Sequence, residues 1–308
     1  MKKVLISMIM FLPLLLSGQN DIQLSQQFLS RVNYNPAATG GSNYMHVFLL
    51  GRQQFIGFKG APSTQVLNAH NYFSQINSGA GLSVINDRIG HESSINAKLA
   101  YAYYVHFEDS YLSFGLGGGV LYKHLNLSDA VSENPNDPII DSYHDRSSKF
   151  SADFDFGVEY NTAQFQIGAS VTHLNISPTK ISNLQSGRHI YFYTKYTFNL
   201  DLDWKLAPSF VTHMSSWPIM QLDLNTLATY RDRFWFGASL RSSDAFVMES
   251  LVGIVGLYIT DFLGLGYSYD LNLGPIGKYT SGSHEISLRF RIGRGEGYGG
   301  AKTPRFFE

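Results

Sequence analysis

Gly115, Gly117, Gly118 and Gly119 are spaced like the glycines of a phosphate cradle, where absent side chains let backbone amides close on an anion. That chemistry also needs a helix after the glycines and a lysine at its start. Neither follows, because these glycines sit inside an alternating apolar–polar run. They are expected to permit barrel curvature or close approach by another stretch of chain. A second candidate is the oxygen-rich stretch 126–149, with Asp129, Glu133, Asp137, Asp141 and Asp145 beside Asn134 and Asn136. Its spacing fits no EF-hand loop for Ca²⁺. It reads as a solvated outer loop, and its length makes it the first choice for contacting a partner.

Lipid hydrolysis would need a serine, a histidine and an orienting polar group together on the lipid side. His173 and His284 fall on the apolar parity near the outer rim, but Ser283 is adjacent to His284 and so faces the other way. No dyad forms, and both histidines are read as interfacial. With no cysteine, thiolate metal sites and disulfides are excluded. No catalytic residue, cofactor site or metal set is assigned.

Charged residues on the polar parity gather in the last third: Asp223, Arg241, Asp270, Glu285, Arg289 and Arg291. If Arg231, Asp232 and Arg233 make a three-residue turn with Tyr230 opposite Phe234, Asp223 stands across from Arg241. The spacing predicts an Asp223–Arg241 pair within a polar network lining an enclosed lumen.

The elements that must carry these residues are strands. Ala152, Phe154, Phe156, Val158 and Tyr160 alternate with polar residues, and after Thr162 and Ala163 so do Phe165, Ile167, Ala169 and Val171. Strict period-2 alternation puts one face in an apolar medium and the other in a polar one. A two-residue turn pairing Asn161 with Gln164 would set Tyr160 opposite Phe165. Similar runs cover roughly 44–54, 64–74, 79–87, 94–107, 110–123, 151–161, 164–174, 188–200, 204–213, 219–230, 234–242, 247–258, 262–272 and 283–292. About fourteen antiparallel strands, many about 10 residues long, predict an all-β transmembrane up-and-down barrel.

The connections alternate in length: 55–63 then 75–78, 88–93 then 108–109, 124–150 then 162–163, 175–187 then 201–203, and so on to 273–282. Short turns mark the periplasmic side and longer loops the outside, which places both termini in the periplasm. Beside the short turns stand Phe107, Tyr160, Phe165, Trp204, Tyr230, Phe234, Tyr258 and Phe262, expected to form an aromatic girdle at the inner interface.

Charged residues make up 15% of the chain, against about 25% in soluble proteins, while aromatics reach 14%. A formal charge of −1 argues against a nucleic-acid partner. Lys2 and Lys3, the apolar run Val4–Leu16 and the small residues Ser17 and Gly18 read as a secretory signal peptide over 1–18. Residues 19–43 lack alternation and contain Asn35–Pro36, so they read as a periplasmic or plug segment. The barrel is expected over 44–292, with a periplasmic tail over 293–308. The destination is the outer membrane, with its lipid as one contact.

Short motifs then add up. Leu24-Ser25-Gln26-Gln27-Phe28, Asn35-Pro36-Ala37, Arg52-Gln53-Gln54-Phe55, Gly60-Ala61-Pro62-Ser63-Thr64, and Asp87 with Gly90 are followed by Leu112-Ser113-Phe114-Gly115. Gln221-Leu222-Asp223-Leu224-Asn225, Trp235-Phe236-Gly237-Ala238-Ser239, Gly266-Tyr267-Ser268-Tyr269-Asp270 and Gly282-Ser283-His284-Glu285-Ile286 complete the series. In order and spacing the chain resembles the PorP/SprF family, outer-membrane components of the type IX secretion system of Bacteroidetes. Phe55, in place of Trp, and Leu240, in place of an aromatic, depart from the family pattern.

The resemblance implies a non-enzymatic role, without cofactors, in protein export and surface attachment, often tied to gliding motility. The implied partners are a secreted surface protein such as an adhesin, held through its C-terminal sorting domain, and the secretion and gliding components of the periplasm and outer membrane. Two other classes remain open: a channel for small or hydrophobic solutes, and a structural barrel component without its own cargo. An open lumen would favour the channel, and a lumen occupied by Asp21–Gly41 would favour attachment.

Overall fold

The computed structural model describes residues 21–42, 44–126, 147–174, 187–216, 219–243 and 247–293. The alternating runs form β1 (Met45–Gln53), β2 (Ser63–Phe73), β3 (Ser78–Ile89), β4 (Glu92–His106), β5 (Ser110–Leu125), β6 (Ser147–Thr162) and β7 (Phe165–Thr172). They continue as β8 (His189–Tyr196), β9 (Phe198–Asn199), β10 (Trp204–Ser216), β11 (Ile219–Tyr230), β12 (Phe234–Ser243), β13 (Val247–Tyr258), β14 (Leu263–Asn272) and β15 (Ser283–Ile292). β8 and β9 both pair with β10 and form one span broken at Thr197. The result is an antiparallel barrel of fourteen spans, an even number as single-chain outer-membrane barrels require.

Neighbours in sequence are neighbours in the sheet, and β1 pairs with β15 from Met45↔Ile292 to Gln53↔His284, so the sheet closes. Closure satisfies every ladder within the barrel, the condition for a β-structure to stand in lipid. No helix among the described residues is long and apolar enough to cross a membrane. β5 and β6 have 16 residues each, more than the roughly 9–11 a tilted crossing needs, and so rise beyond the bilayer on the long-loop side.

The alternation of connection lengths is less regular than the sequence suggested. β3 and β4 are joined by Gly90 and His91 alone, a tight turn with Gly90 at φ +58, where a six-residue loop was expected. Only two residues separate β10 from β11. The long connections that do occur, 54–62 and 273–282 among them, share one end of the barrel.

The β6–β7 register also differs from expectation. Asn161 faces Gln166 and Tyr160 faces Ile167, two residues beyond the tight-turn alignment. Thr162 is the reason: its hydroxyl accepts the amides of Gln164 and Phe165 at 3.3 and 2.9 Å, widening the turn to four residues. A shift of two preserves the faces, so the apolar side stays outward.

Residues 21–42 do not hang below the barrel; they run up inside it. Near the short-turn end, a Cβ on Gly79 would lie 1.9 Å from the Thr39 carbonyl oxygen. Three short 3₁₀ turns follow in reverse chain order, Pro36–Ala38, Arg31–Asn33 and Gln27–Leu29. Asp21 ends beside His173, just past the outer end of β7. Gly293 thus sits at the short-turn end, whereas Asp21, expected at the periplasmic side, lies in the outer half of the lumen.

This plug changes what the lumen must be. An interior lined only by hydrophilic groups was expected; instead Phe48, Leu50 and Val66 pack around Leu24, and Trp235, Val252, Ile254 and Tyr258 pack around Phe28. Tyr34 packs on Tyr191, Tyr193 and Val211. The plug turns part of the lumen into a core, and apolar wall residues turn inward to meet it.

Candidate functional site: a plugged lumen

Among the polar contacts between plug and wall, four stand out. The first is an ionic cluster on β1, β11, β12, β14 and β15. Arg52 reaches Asp270 at 2.6 Å and Glu285 at 3.1 Å, while Arg241 reaches Asp223 at 3.0 Å and Asp270 at 3.4 Å. All five are at most 4% exposed. Three carboxylates against two guanidiniums leave one excess negative charge, and the plug answers it with donors. The amides of Ser25 and Gln26 both donate to Glu285 at 2.8 Å, the Ser25 hydroxyl donates to Asp270 at 2.5 Å, and the Gln27 side chain donates to Asp223. In return the Leu24 carbonyl accepts from Arg241 at 3.2 Å. Buried charges are tolerated when paired and hydrogen-bonded, as these are except at Arg52 Nε, which has no hydrogen-bond acceptor.

The second is Arg31, which approaches Glu159 of β6 at 2.9 Å. Glu159 also accepts from Tyr193 and from Asn161. The third is Asn35. Its extended backbone before Pro36 is what a residue preceding proline prefers, and its side chain caps the next turn by accepting the Ala37 amide at 2.9 Å. The same side chain donates to the Val158 carbonyl and to Tyr193. Here the wall is glycine for steric reasons: a Cβ on Gly157 would lie 1.9 Å from Asn35 Oδ1, and one on Gly115 would lie 2.1 Å from the Ala37 nitrogen. The glycine run singled out in the sequence is thus a seat for the plug at Gly115.

The fourth lies in the outer half. Asp153 and Asp155 of β6 hold Lys98 of β4 at 2.9 and 2.8 Å, and Asp153 also holds His173 at 2.8 Å. His173 was expected on the lipid side. Its backbone at φ +58 breaks the strand alternation and turns the ring into the lumen, where it is 8% exposed and meets Asp21 at 3.5 Å. His284 stays outward and meets the Tyr267 hydroxyl at 2.7 Å.

The six charged residues picked from the sequence do not form one group. Asp223, Arg241, Asp270 and Glu285 meet in the ionic cluster, with Asp223 opposite Arg241. Arg289 and Arg291 stand lower, over aromatic rings: Arg291 is 4.0 Å from the Tyr258 ring centre, and Arg289 is 5.7 Å from that of Trp235. Tyr258 is therefore no girdle residue; it is buried against Trp235 because β13 turns Val252, Ile254 and Tyr258 inward. Trp204 and Tyr230 pack with tilted rings 4.8 Å apart near the short turns, and Phe107, Phe234 and Phe262 are exposed there, with Tyr160 and Phe165 half-buried. In the turn below, Asp203 holds Arg231 at 3.1 Å and keeps its guanidinium above the ordinary range. Asp129, Glu133, Asp137, Asp141 and Asp145 lie outside the described residues.

Sequence reasoning assigned no role to Arg52, Arg31, Lys98 or Glu159. A signal existed: Asp153, Asp155 and Glu159 share one face of β6, and three inward carboxylates require cations from elsewhere in the lumen.

Comparisons with known proteins agree with this architecture. The model of the family "Type IX secretion system membrane protein PorP/SprF" matches residues 16–290. Among solved structures, the CymD monoaromatic hydrocarbon channel is 11% identical with a TM-score of 0.53, over 91% of this chain and 96% of that one. The Pseudomonas putida (P. putida) toluene transporter TodX is 10% identical with a TM-score of 0.52, over 84% of this chain and 93% of that one. The Acinetobacter baumannii outer membrane protein Omp33 is 12% identical with a TM-score of 0.48, over 82% and 100%. At such identities the likeness to CymD and TodX is one of fold. No curated protein is similar enough to count as a match.

Proposed function

From the premise that the chain belongs to the PorP/SprF family of type IX secretion system membrane proteins, we propose that this outer-membrane barrel holds, or helps export, one cognate secreted surface protein by its C-terminal sorting domain. The role is non-enzymatic and needs no cofactor. Secretion or gliding components are its partners on the periplasmic side.

One observation carries the reading. The lumen is crossed by a segment of the chain itself, fixed to the wall along its length by buried charges and hydrogen bonds. A wall with that much fixed, specific bonding suits a rigid holder better than an open conduit. It leaves the outer rim to meet a partner. There the loops 54–62 and 273–282 are tied together, Ile56 exchanging backbone hydrogen bonds of 2.9 Å with Gly282 and Ser281. They expose Ile56, Phe58, Leu273, Ile276 and Tyr279, a set of apolar groups on these two loops.

Copurification from native outer membrane is the test. A secreted protein recovered in stoichiometric amount, and lost when its C-terminal domain is removed, supports holding. Recovery of secretion components alone contradicts it and favours a structural role. The channel reading draws on the barrel shared with CymD and TodX, and steady conductance of the intact protein in planar bilayers is the result that would favour it.

A further inference from the structure

Asp21, His173 and His189 meet at the edge of a cavity of about 370 Å³ between the plug and the inner faces of β3, β4 and β5. One ligand atom from each lies within 4.8 Å of the others. Two imidazoles and a carboxylate with an open side are a donor set for a borderline divalent cation such as zinc, whose fourth position takes water. At bond lengths of about 2.0–2.2 Å the donors would stand about 3.3–3.5 Å apart, within reach of small side-chain rotations.

Three further features fit a metal rather than a simple contact. His173 presents Nδ1 to Asp153 at 2.8 Å and Nε2 to Asp21 Oδ1 at 3.5 Å. A carboxylate on the far nitrogen is the device that orients a metal-bound imidazole. Asp21 is itself oriented, because its Oδ2 accepts from the Tyr191 hydroxyl at 2.6 Å. The charge is also right. Asp153 and Asp155 share the one charge of Lys98, and Asp21 adds a further carboxylate against His173, so carboxylates outnumber the lysine here, as a bound cation would favour.

We propose that Asp21, His173 and His189 bind one zinc-like divalent cation that fastens the head of the plug to the wall at β7 and β8, with its fourth position open to the cavity. An Asp21–His173 ion pair needs no ligand atom from His189, so the effect of His189→Gln on metal binding separates the two readings.

The protein, purified in detergent without a histidine tag and stripped with chelator, is titrated with Zn²⁺ by calorimetry and with Co²⁺ by visible absorption. The expected result is one ion per chain and the d–d bands of four-coordinate Co²⁺. His189→Gln and Asp21→Asn should each weaken binding by about tenfold or more, while His213→Gln, whose ring lies 6.0 Å from that of His189, should leave it unchanged. Asp21 lies in the plug, so Asp21→Asn reports even where a wall variant does not fold. Absence of saturable binding in the parent, or binding unaltered in both ligand variants, overturns the proposal.

Discussion

Arg31 of the plug and Glu159 of β6 form an ion pair at 2.9 Å in which the Glu159 side chain has no exposure and that of Arg31 has 20%. The pair joins the middle of the plug to the wall, so its loss should be felt as undocking and not as loss of the barrel. Removing one partner of a buried pair costs about 3–5 kcal/mol, because a charge is left without compensation. The partial exposure of Arg31 puts Glu159→Gln near the lower figure. Hydrogen exchange of the backbone amides of residues 31–38 should then rise by about 100-fold or more. Adding Arg31→Met should restore much of the protection, as expected for coupled neighbours.

Steric exclusion gives an independent prediction. Gly157→Ala and Gly115→Ala place a methyl group within about 2 Å of the plug, at Asn35 Oδ1, which moves only by breaking the hydrogen bonds of its side chain, and at the backbone nitrogen of Ala37. Both variants should insert as barrels yet expose the plug to added protease. Gly253→Ala meets nothing within 4 Å and should behave as the parent. Equal protease resistance in all three variants would contradict the placement of the plug.

The orientation of the strands is open to fluorescence. Trp204 is 37% exposed on the lipid side near the short turns, whereas Trp235 is 3% exposed inside the barrel. In vesicles of brominated lipid, a variant keeping only Trp204 should be strongly quenched, and one keeping only Trp235 should retain most of its emission. The reverse order would mean that the inner and outer faces are exchanged.

How far these placements were legible follows from local physics. Strands were legible because alternation is written into each run, and Asp223 opposite Arg241 followed once the turn after Tyr230 was read correctly. The direction of β13 was not, since Leu251, Val252, Ile254 and Val255 are apolar on both parities. Register with Arg241 of β12 and Asp270 of β14 turns Val252 and Ile254 inward, where Phe28 of the plug meets them. His173 was misplaced because parity arguments assume extended backbone, and its φ of +58 ends that assumption one residue beyond β7. The turn after Thr162 was misjudged because a hydroxyl accepting two amides widened it. The plug's partners were hidden altogether. Residues 21–41 have no periodicity, and contacts such as Ser25 with Asp270 span 245 residues of sequence.

Holding rather than conducting requires the plug to be inside the barrel in the membrane. The chain has no cysteine, so a pair can be introduced cleanly. Ser30 and Asn68 are suited to it, with the Asn68 amide nitrogen 2.8 Å from the Ser30 hydroxyl. In outer membranes carrying S30C and N68C, a short bismaleimide should join the two sites in nearly every molecule, and S30C alone should resist a water-soluble maleimide until the protein is denatured. No cross-link, together with ready labelling of S30C from the periplasmic side, would contradict the account.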